Sequence, residues 1–467
     1  MNWLIDWQVE LFSGILKEIA AGRDIATFDA ENVPDPSSVV NSDSPVYEEV
    51  LECIHLPKFD LRAVRARVNK QNTIELPLEV VEELRAFIRT IASRYRQNPF
   101  HSYSHASHVV QSANKLLERI VKPELVDYRR HSLNTIASEL HDYTYGITSD
   151  PLTHFAVLFA TLIHDVDHSG VSNAQRGVEE PEMAQMYMDK SIAEQNSIDL
   201  AWAELSRSKY ENLRKCLCAT DNELLRFRQL TVNLVMATDI FEKDMKALRS
   251  RRWDKAFHRD AASRDRQITP LSMEEDRNMR ATIVIEHIVR AIALLLKVNL
   301  SHVYKRWNER LFQEMFLAYE EGRGGKDPSE GWYGGELWFF DNYVIPLAKK
   351  LEECGVFGVS SDECLNYALE NRKEVSLARI KSVALLFETC LNISSSFITQ
   401  WATKGKEIVE EMVERYRLWR SRGEVLGNPL EEDEYDVGVY SVLVTSHLVD
   451  ESANRYSDDE DESVIEA

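Results

Sequence analysis

The 467-residue chain is short of cysteine, of uninterrupted apolar sequence and of positive charge, and each shortage excludes a class of protein. Its six cysteines (Cys53, Cys216, Cys218, Cys354, Cys364 and Cys390) form no CxxC pair and no dense framework. That excludes a disulfide scaffold and a zinc ribbon and reads as reduced, intracellular thiols. No run of 18 or more apolar residues is free of charge. The most apolar window, 281–300, still contains Glu286, His287, Arg290 and Lys297, so no transmembrane helix is expected. The N-terminus carries Asp6 and Glu10 among apolar residues and lacks the basic leader of a secretory signal. A soluble cytoplasmic protein is therefore the expectation. Lys and Arg number 55 against 77 Asp and Glu, a net charge of −22. A field of that sign repels phosphate and argues against a nucleic-acid polymer or an anionic membrane as the main partner. The acid is unevenly placed: residues 431–467 hold 13 carboxylates and a single cation, Arg455, and read as a solvated, disordered tail. Strand-like alternation is also scarce, confined to residues 435–449.

Helical periodicity fills the rest. Leu4, Trp7, Leu11, Ile15 and Ile19 fall on one stripe that ends near Gly22, a helix suited to packing on the main domain or to homodimerisation. Residues 29–45, rich in Asp, Asn, Ser and Pro, read as a linker. Amphipathic helices are expected over 78–96, 105–120, 152–163, 225–236, 279–298, 303–321 and 335–354, with polar connectors at 249–277 and 323–334. With 44% hydrophobic and 9% aromatic residues the chain can bury a sizeable core, so the fold class is all-α. The organisation read from the sequence is a helical lead and linker (1–76), a catalytic-sized domain (77–355), C-terminal helices (356–430) and the acidic tail (431–467).

Histidine is concentrated. Eight of the 13 (His101, His105, His108, His131, His141, His154, His164 and His168) lie within 68 residues. His101 and His105 are spaced i, i+4 and share a helix face. His164 and Asp165 close an apolar helical run from Phe155 to Ile163. Imidazole nitrogen and carboxylate oxygen are the donors that Zn²⁺ and similar divalent ions accept, and a metal site gathers them from separate helices. A cation held there would acidify a water near neutral pH. Alone, a His-x3-His spacing is more often a polar helix face, and His131, His141 and His154 read as ordinary helix or loop residues.

Taken together the two motifs are specific. HSYSHASHV, followed by HDVDHSGVSN with His164 standing 59 residues after His105, resembles the class I cyclic-nucleotide phosphodiesterases, whose motifs run H-N-x-x-H-A-x-D-V and H-D-x-x-H-x-G-x-x-N. His101, His105, Ala106, His164, Asp165, His168, Gly170 and Asn173 agree in type and order. SIAEQN around Glu194, LVMATDI with Asp239, YKRWNERLFQEMF (304–316) and GELWFFDNYVIPL (335–347) are similar to further segments of that family. The likeness covers residues 77–355. It implies a compact helical catalytic domain of the HD type that uses two divalent ions, zinc with magnesium or manganese, to hydrolyse cAMP or cGMP to the 5′-monophosphate. Carried over, His105, His164 and Asp165 are metal ligands and His101 is the general acid. His168 holds water or phosphate, Glu194 is a supporting carboxylate, Asp239 lines the pocket and Phe339 is the aromatic clamp on the purine.

The chain departs from the family pattern twice. The fourth metal ligand, an Asp in the family, falls on Asn299 if a short gap follows His302, or on Ala293 without a gap; neither is a carboxylate. The purine-reading glutamine falls on Glu336, which as a carboxylate accepts hydrogen bonds but cannot donate. A second reading, of another class, is accordingly a catalytically impaired homologue that binds a nucleotide or a partner; a third is another phosphohydrolase of the His-Asp metal group. Residues 371–374 and 401–411 would join as one charged helix without the apolar, Ser-rich stretch 375–400. That stretch reads either as a retained intron, since GTAAGT can encode its opening Val-Ser and CAG its final Gln, or as an ordinary surface helix.

Overall fold

The sequence PLTHFAVLFATLI sets the centre of the molecule. In a computed structural model of the chain these residues form a helix, Pro151–Ile163, in which every residue after the first is buried. A helix apolar on all sides has to be surrounded by others. Its start is fixed by Pro151, whose missing N–H costs nothing at that position, and by Asp150, which accepts from the Thr153 N–H at 3.2 Å and hydroxyl at 2.8 Å. The structure describes residues 2–23, 34–40, 44–70, 73–122, 133–258, 270–294, 301–358 and 362–376, all within one unit, Asn2–Val413. Asn299, His131, the alternation at 435–449, the stretch 377–400 and the acidic tail lie outside the described residues.

In chain order the helices are α1 (Asn2–Ala21), α2 (Leu61–Lys70), α3 (Leu78–Arg94), α4 (Tyr103–Glu118), α5 (Leu133–Tyr143), α6 (Pro151–Ile163), α7 (Asn173–Glu179), α8 (Pro181–Met186) and α9 (Ile192–Leu205). They continue with α10 (Glu211–Leu217), α11 (Asp221–Met236), α12 (Lys243–Phe257), α13 (Pro270–Leu294), α14 (Ser301–Glu320), α15 (Trp332–Phe339) and α16 (Ile345–Glu353). No strand occurs among the described residues, and none of their helices is long and apolar enough to cross a membrane. The fold class is all-α, as the periodicity implies.

Helices α1, α4 and α11 pack around α6. Phe155 and Phe159 of α6 meet Phe12, Phe87 and Phe227 with ring centroids 5.0–5.7 Å apart. The leading helix contributes Ile5, Val9, Phe12, Leu16 and Ile19 to this same core. Its buried Gln8 donates to Ser107 Oγ (3.0 Å) and accepts from the Tyr103 hydroxyl (2.7 Å), tying α1 to the first turns of α4. After the 3₁₀ turn Val46–Glu49 the chain crosses α11 and α13 without regular structure. Its backbone N–H groups are satisfied by buried side chains: Leu51 by Asn233, Ile54 by Thr282 and Leu56 by Asn278.

Three expected boundaries differ from the structure: residues 270–277, read as the end of a polar connector, open α13, which starts nine residues earlier than expected. Residues 249–257, read as a polar connector, belong to α12. High charge hid the buried stripe of Met245, Arg249, Arg252, Trp253 and Ala256. Both arginines are interior because they have acceptors: Arg252 donates to Glu286 at 2.5 Å and to the Leu51 carbonyl at 3.0 Å, and Arg249 to the Asp239 carbonyl at 3.0 Å. The helix expected over 335–354 is divided by a π turn, Phe340–Val344. Pro346 has no N–H for the Asn342 carbonyl and its ring crowds that turn, which the wider π geometry accommodates.

Candidate metal centre and active site

Three chain segments meet at the end of α6. The first is the start of α4, where Ser102 caps the helix by accepting from the His105 N–H at 3.4 Å. This places His101 just before the helix and His105 in its first turn. The second is the C-terminus of α6, which delivers His164 and Asp165; the unpaired carbonyls of a helix end favour a cation there. The third is α14, reached across the fold.

His105 and His164 are 1% and 4% exposed. Asp165 Oδ2 lies 3.0 Å from His164 Nε2 and 3.6 Å from His105 Nε2. His164 Nδ1 is 2.9 Å from the Thr161 carbonyl, so Nδ1 carries a proton and Nε2 is the nitrogen that faces Asp165. One ligand atom from each of the three residues falls within 4.8 Å of the others. Two nitrogens and a carboxylate oxygen around a tetrahedral Zn²⁺ would stand roughly 3.3 Å apart. Asp165 Oδ2, although buried, has no hydrogen-bond partner among the described residues. Burial raises the Asp165 pKa, but the charges of His164 and His101 outweigh it and hold the carboxyl well below its usual range. Burial drives His105 well below the ordinary imidazole value. Two imidazoles flanking an ionised carboxylate whose Oδ2 is buried without a hydrogen bond fit a divalent cation.

His101 sits beside this group with a partner of its own. Glu314 of α14, 3% exposed, places Oε1 at 2.5 Å from His101 Nδ1, while its Oε2 accepts from the backbone N–H groups of Phe100 and His101 at 2.9 Å. Burial lowers the His101 pKa, but Glu314 and then Asp165 overcome that and push it up to about 9. The His168 ring stacks on His101 at 3.7 Å between centroids. Burial and the neighbouring His101 charge lower its pKa to about 3. Its Nδ1 accepts from the Gly170 N–H at 3.1 Å, leaving the proton on Nε2. Asn98 links the two loops by donating to the carbonyls of His101 (3.1 Å) and His168 (2.7 Å).

The loop that follows Asp165 is left-handed at Asp167 (φ 62°) and again, past His168, at Gly170 (φ 77°). Arg96 donates to Asp167 Oδ1 at 2.7 Å, and Arg176 and Asn196 each donate to Oδ2 at 3.1 Å. Glu194 and Asp239 are joined through Asn173, whose Nδ2 donates to Glu194 at 2.9 Å and to Asp239 at 3.1 Å. Burial and the adjacent Asp239 raise Glu194 to about 8. Asp239 is further occupied by Ser191 and by the backbone N–H groups of Phe241 and Glu242, so it organises the turn before α12 as well as facing Glu194.

Glu336 and Phe339 lie one turn apart on α15. Glu336 is 5% exposed and accepts at Oε2 from the Tyr304 hydroxyl (3.0 Å) and from Asn308 Nδ2 (2.7 Å), both on α14. Phe339 is half-buried and stacks on Tyr343, centroids 5.3 Å apart. Ala293, the ungapped position for a fourth ligand, lies in the last turn of α13. Glu314, Asp167 and Asn98 were not singled out from the sequence, and Asn173 only as a motif residue without a role. The available signal for Glu314 was a carboxylate placed amid Phe312, Met315 and Phe316.

In this all-α molecule, paired imidazoles and a carboxylate converge at helix ends as a donor set that could hold a divalent cation. The chain belongs to the 3'5'-cyclic nucleotide phosphodiesterase family, whose profile matches residues 100–355. It is 29% identical over 241 residues to the 3',5'-cyclic-AMP phosphodiesterase, isoform F, of Drosophila melanogaster, covering 51% of this chain and 31% of that one. It is 27% identical over 180 residues to the cGMP-specific 3',5'-cGMP phosphodiesterase 3 of Dictyostelium discoideum, covering 37% of this chain and 33% of that one. The chain thus spans about a third of the length of these relatives. The phosphodiesterase domain of the Salpingoeca rosetta rhodopsin phosphodiesterase has the same fold, with a TM-score of 0.50 at 20% identity over 76% of this chain and 98% of that domain.

Proposed function

We propose that this chain hydrolyses 3′,5′-cyclic nucleotides, cAMP or cGMP, to 5′-monophosphates with the help of two divalent cations, zinc together with magnesium or manganese. The observation that carries this reading is the convergence of His105, His164 and Asp165 beside a histidine, His101, that is held in place by Glu314. His105, His164 and Asp165 would hold the tighter ion, and Asp165 would also reach the second. When bound, such ions neutralise phosphate charge and make a water acidic near pH 7.

The remaining work falls to the chain. Hydrolysis breaks the P–O3′ bond and leaves an alkoxide that needs a proton. His101 is the donor: Glu314 fixes its Nδ1 and keeps the ring protonated, so Nε2–H is the atom that faces the leaving oxygen. His168, proton on Nε2, orients water or a phosphate oxygen beside it. Glu194, bridged by Asn173 to Asp239, supports the rim, and Phe339 offers an aromatic face to the purine. The overall negative charge is no obstacle, since bound cations dominate the local field.

The deciding assay is turnover of both cyclic nucleotides by purified protein with added Mg²⁺ or Mn²⁺, alongside Asp165→Ala. Turnover should vanish in the variant and its metal content, read by mass spectrometry, should fall. Undiminished activity in Asp165→Ala would remove the metal-ligand assignment.

A further inference from the structure

We infer that Gln195 is a positioning residue of the proposed site: it clasps a strained turn ahead of α9 and thereby sets Glu194 and Asp239 across their Asn173 bridge. The inference rests on the phosphodiesterase reading above and deepens it. It starts from backbone strain. Met188 (φ 55°), Asp189 (φ 55°) and Ser191 (φ 40°) are all left-handed, and none is glycine, in the turn that delivers the chain to α9. That conformation is costly for residues with a Cβ and persists only where the surroundings impose it.

Gln195 is the side chain that imposes it. It lies in the first turn of α9 and is 0% exposed. Its Nε2 donates to the carbonyls of Tyr187 at 3.1 Å and Lys190 at 2.6 Å, one on each side of the Met188–Asp189 pair. Its Oε1 accepts from the backbone N–H of Tyr47 at 2.9 Å, which anchors the clasp to the 3₁₀ turn Val46–Glu49. Carbonyls only accept and a backbone N–H only donates, so the amide has one orientation and both its hydrogens are in use. Lys190 is held on its outer side as well, with Nζ 4.4 Å from the centre of the Tyr47 ring and 2.8 Å from Asp244. The far end of the turn meets the site. Buried Ser191 donates to Asp239 Oδ2 at 2.9 Å, and the Ala193 N–H donates to Asn173 Oδ1 at 2.8 Å. Asn173 spends its other end on Glu194 and Asp239. A turn that relaxed to ordinary dihedrals would carry Ser191 and Ala193 away, and the two carboxylates would lose the contacts that aim them.

The test uses the full chain, Gln195→Met (which fills the space without hydrogen bonds), the same variant with Met188→Gly and Asp189→Gly added, and Ser191→Ala. Turnover of cAMP and cGMP with Mn²⁺, bound metal and backbone hydrogen exchange are measured on each. Gln195→Met should lower kcat about ten- to a hundredfold, with KM within about twofold and metal content unchanged. Exchange should quicken at 187–193 and also at Phe241 and Glu242, whose N–H groups Asp239 accepts. Glycine adopts the left-handed conformation without cost, so the two added glycines should restore kcat at least about fivefold, a rescue that a merely structural role would not show. Ser191→Ala cuts only the link to Asp239; it should lower kcat roughly three- to tenfold and quicken exchange at Phe241 and Glu242, and it decides the matter if Gln195→Met does not fold. Undiminished kcat in these variants, a loss that the glycines do not restore, or unchanged exchange at Phe241 and Glu242 overturns the inference and leaves the hydrolytic reading intact. Absence of turnover in the unaltered chain removes the hydrolytic reading, and exchange at Phe241 and Glu242 then upholds or overturns the role of Gln195 by itself.

Discussion

His101 and Glu314 show how a single contact assigns work to a side chain. An imidazole enclosed by protein ordinarily loses its proton, yet a carboxylate 2.5 Å from Nδ1 reverses that preference and anchors the ring. His101→Ala should lower kcat by roughly 10²–10⁴ with KM little changed, because the proton is needed only as the bond breaks. Glu314→Gln tests positioning separately: the amide can still accept from the backbone N–H groups of Phe100 and His101, so the loop stays in place. The expected result is a reduced kcat, KM within about twofold and an unchanged melting temperature. A melting temperature that falls in step with kcat would make Glu314 a structural residue instead. At this scale the sequence was most legible where chemistry is rare, in closely spaced histidines, and least legible for Glu314, one of 77 carboxylates and more than 200 positions from its partner.

At the scale of elements, α6 and the turn that follows it form one device. The buried helix fixes where His164 and Asp165 emerge, and Asp167, in a left-handed conformation costly for most side chains, swings the chain back so that His168 lies over His101. Asp167→Ala removes three hydrogen bonds and keeps the unfavourable φ. It should cost roughly 1–3 kcal/mol in urea denaturation, whereas Asp167→Asn, tolerant of that conformation and still able to accept, should cost less. Periodicity alone located α1, α4, α6 and α11 to within a few residues. It failed at α12, where interior arginines masqueraded as a solvated face, and at the π turn, since one widened turn leaves the apolar spacing almost untouched.

Over the whole molecule, buried histidines away from the site connect stability to acidity. Burial pulls His154 of α6, 8% exposed, down to about 3, with Lys122 adding to the effect. The unfolded chain takes up that proton near pH 6.5 and the folded one does not, so the unfolded state binds more protons between those limits and stability falls as pH drops through the window. His154→Gln should flatten the dependence of the urea midpoint on pH between 6 and 4. An unchanged slope would mean that His154 binds its proton equally in the folded and unfolded states. Helix α14 joins the two halves of the proposed active site over longer range. Glu314 near one end holds His101, and Tyr304 and Asn308, about 9–15 Å of rise away, hold Glu336. The helix is therefore a ruler whose graduations are set by backbone pitch. A one-residue insertion between Asn308 and Glu314 would rotate its two ends by about 100° relative to each other, disengaging one when the other is seated. The clasp on His101 and the clasp on Glu336 are consequently cut from one rigid rod, and neither can be slid along it without displacing the other.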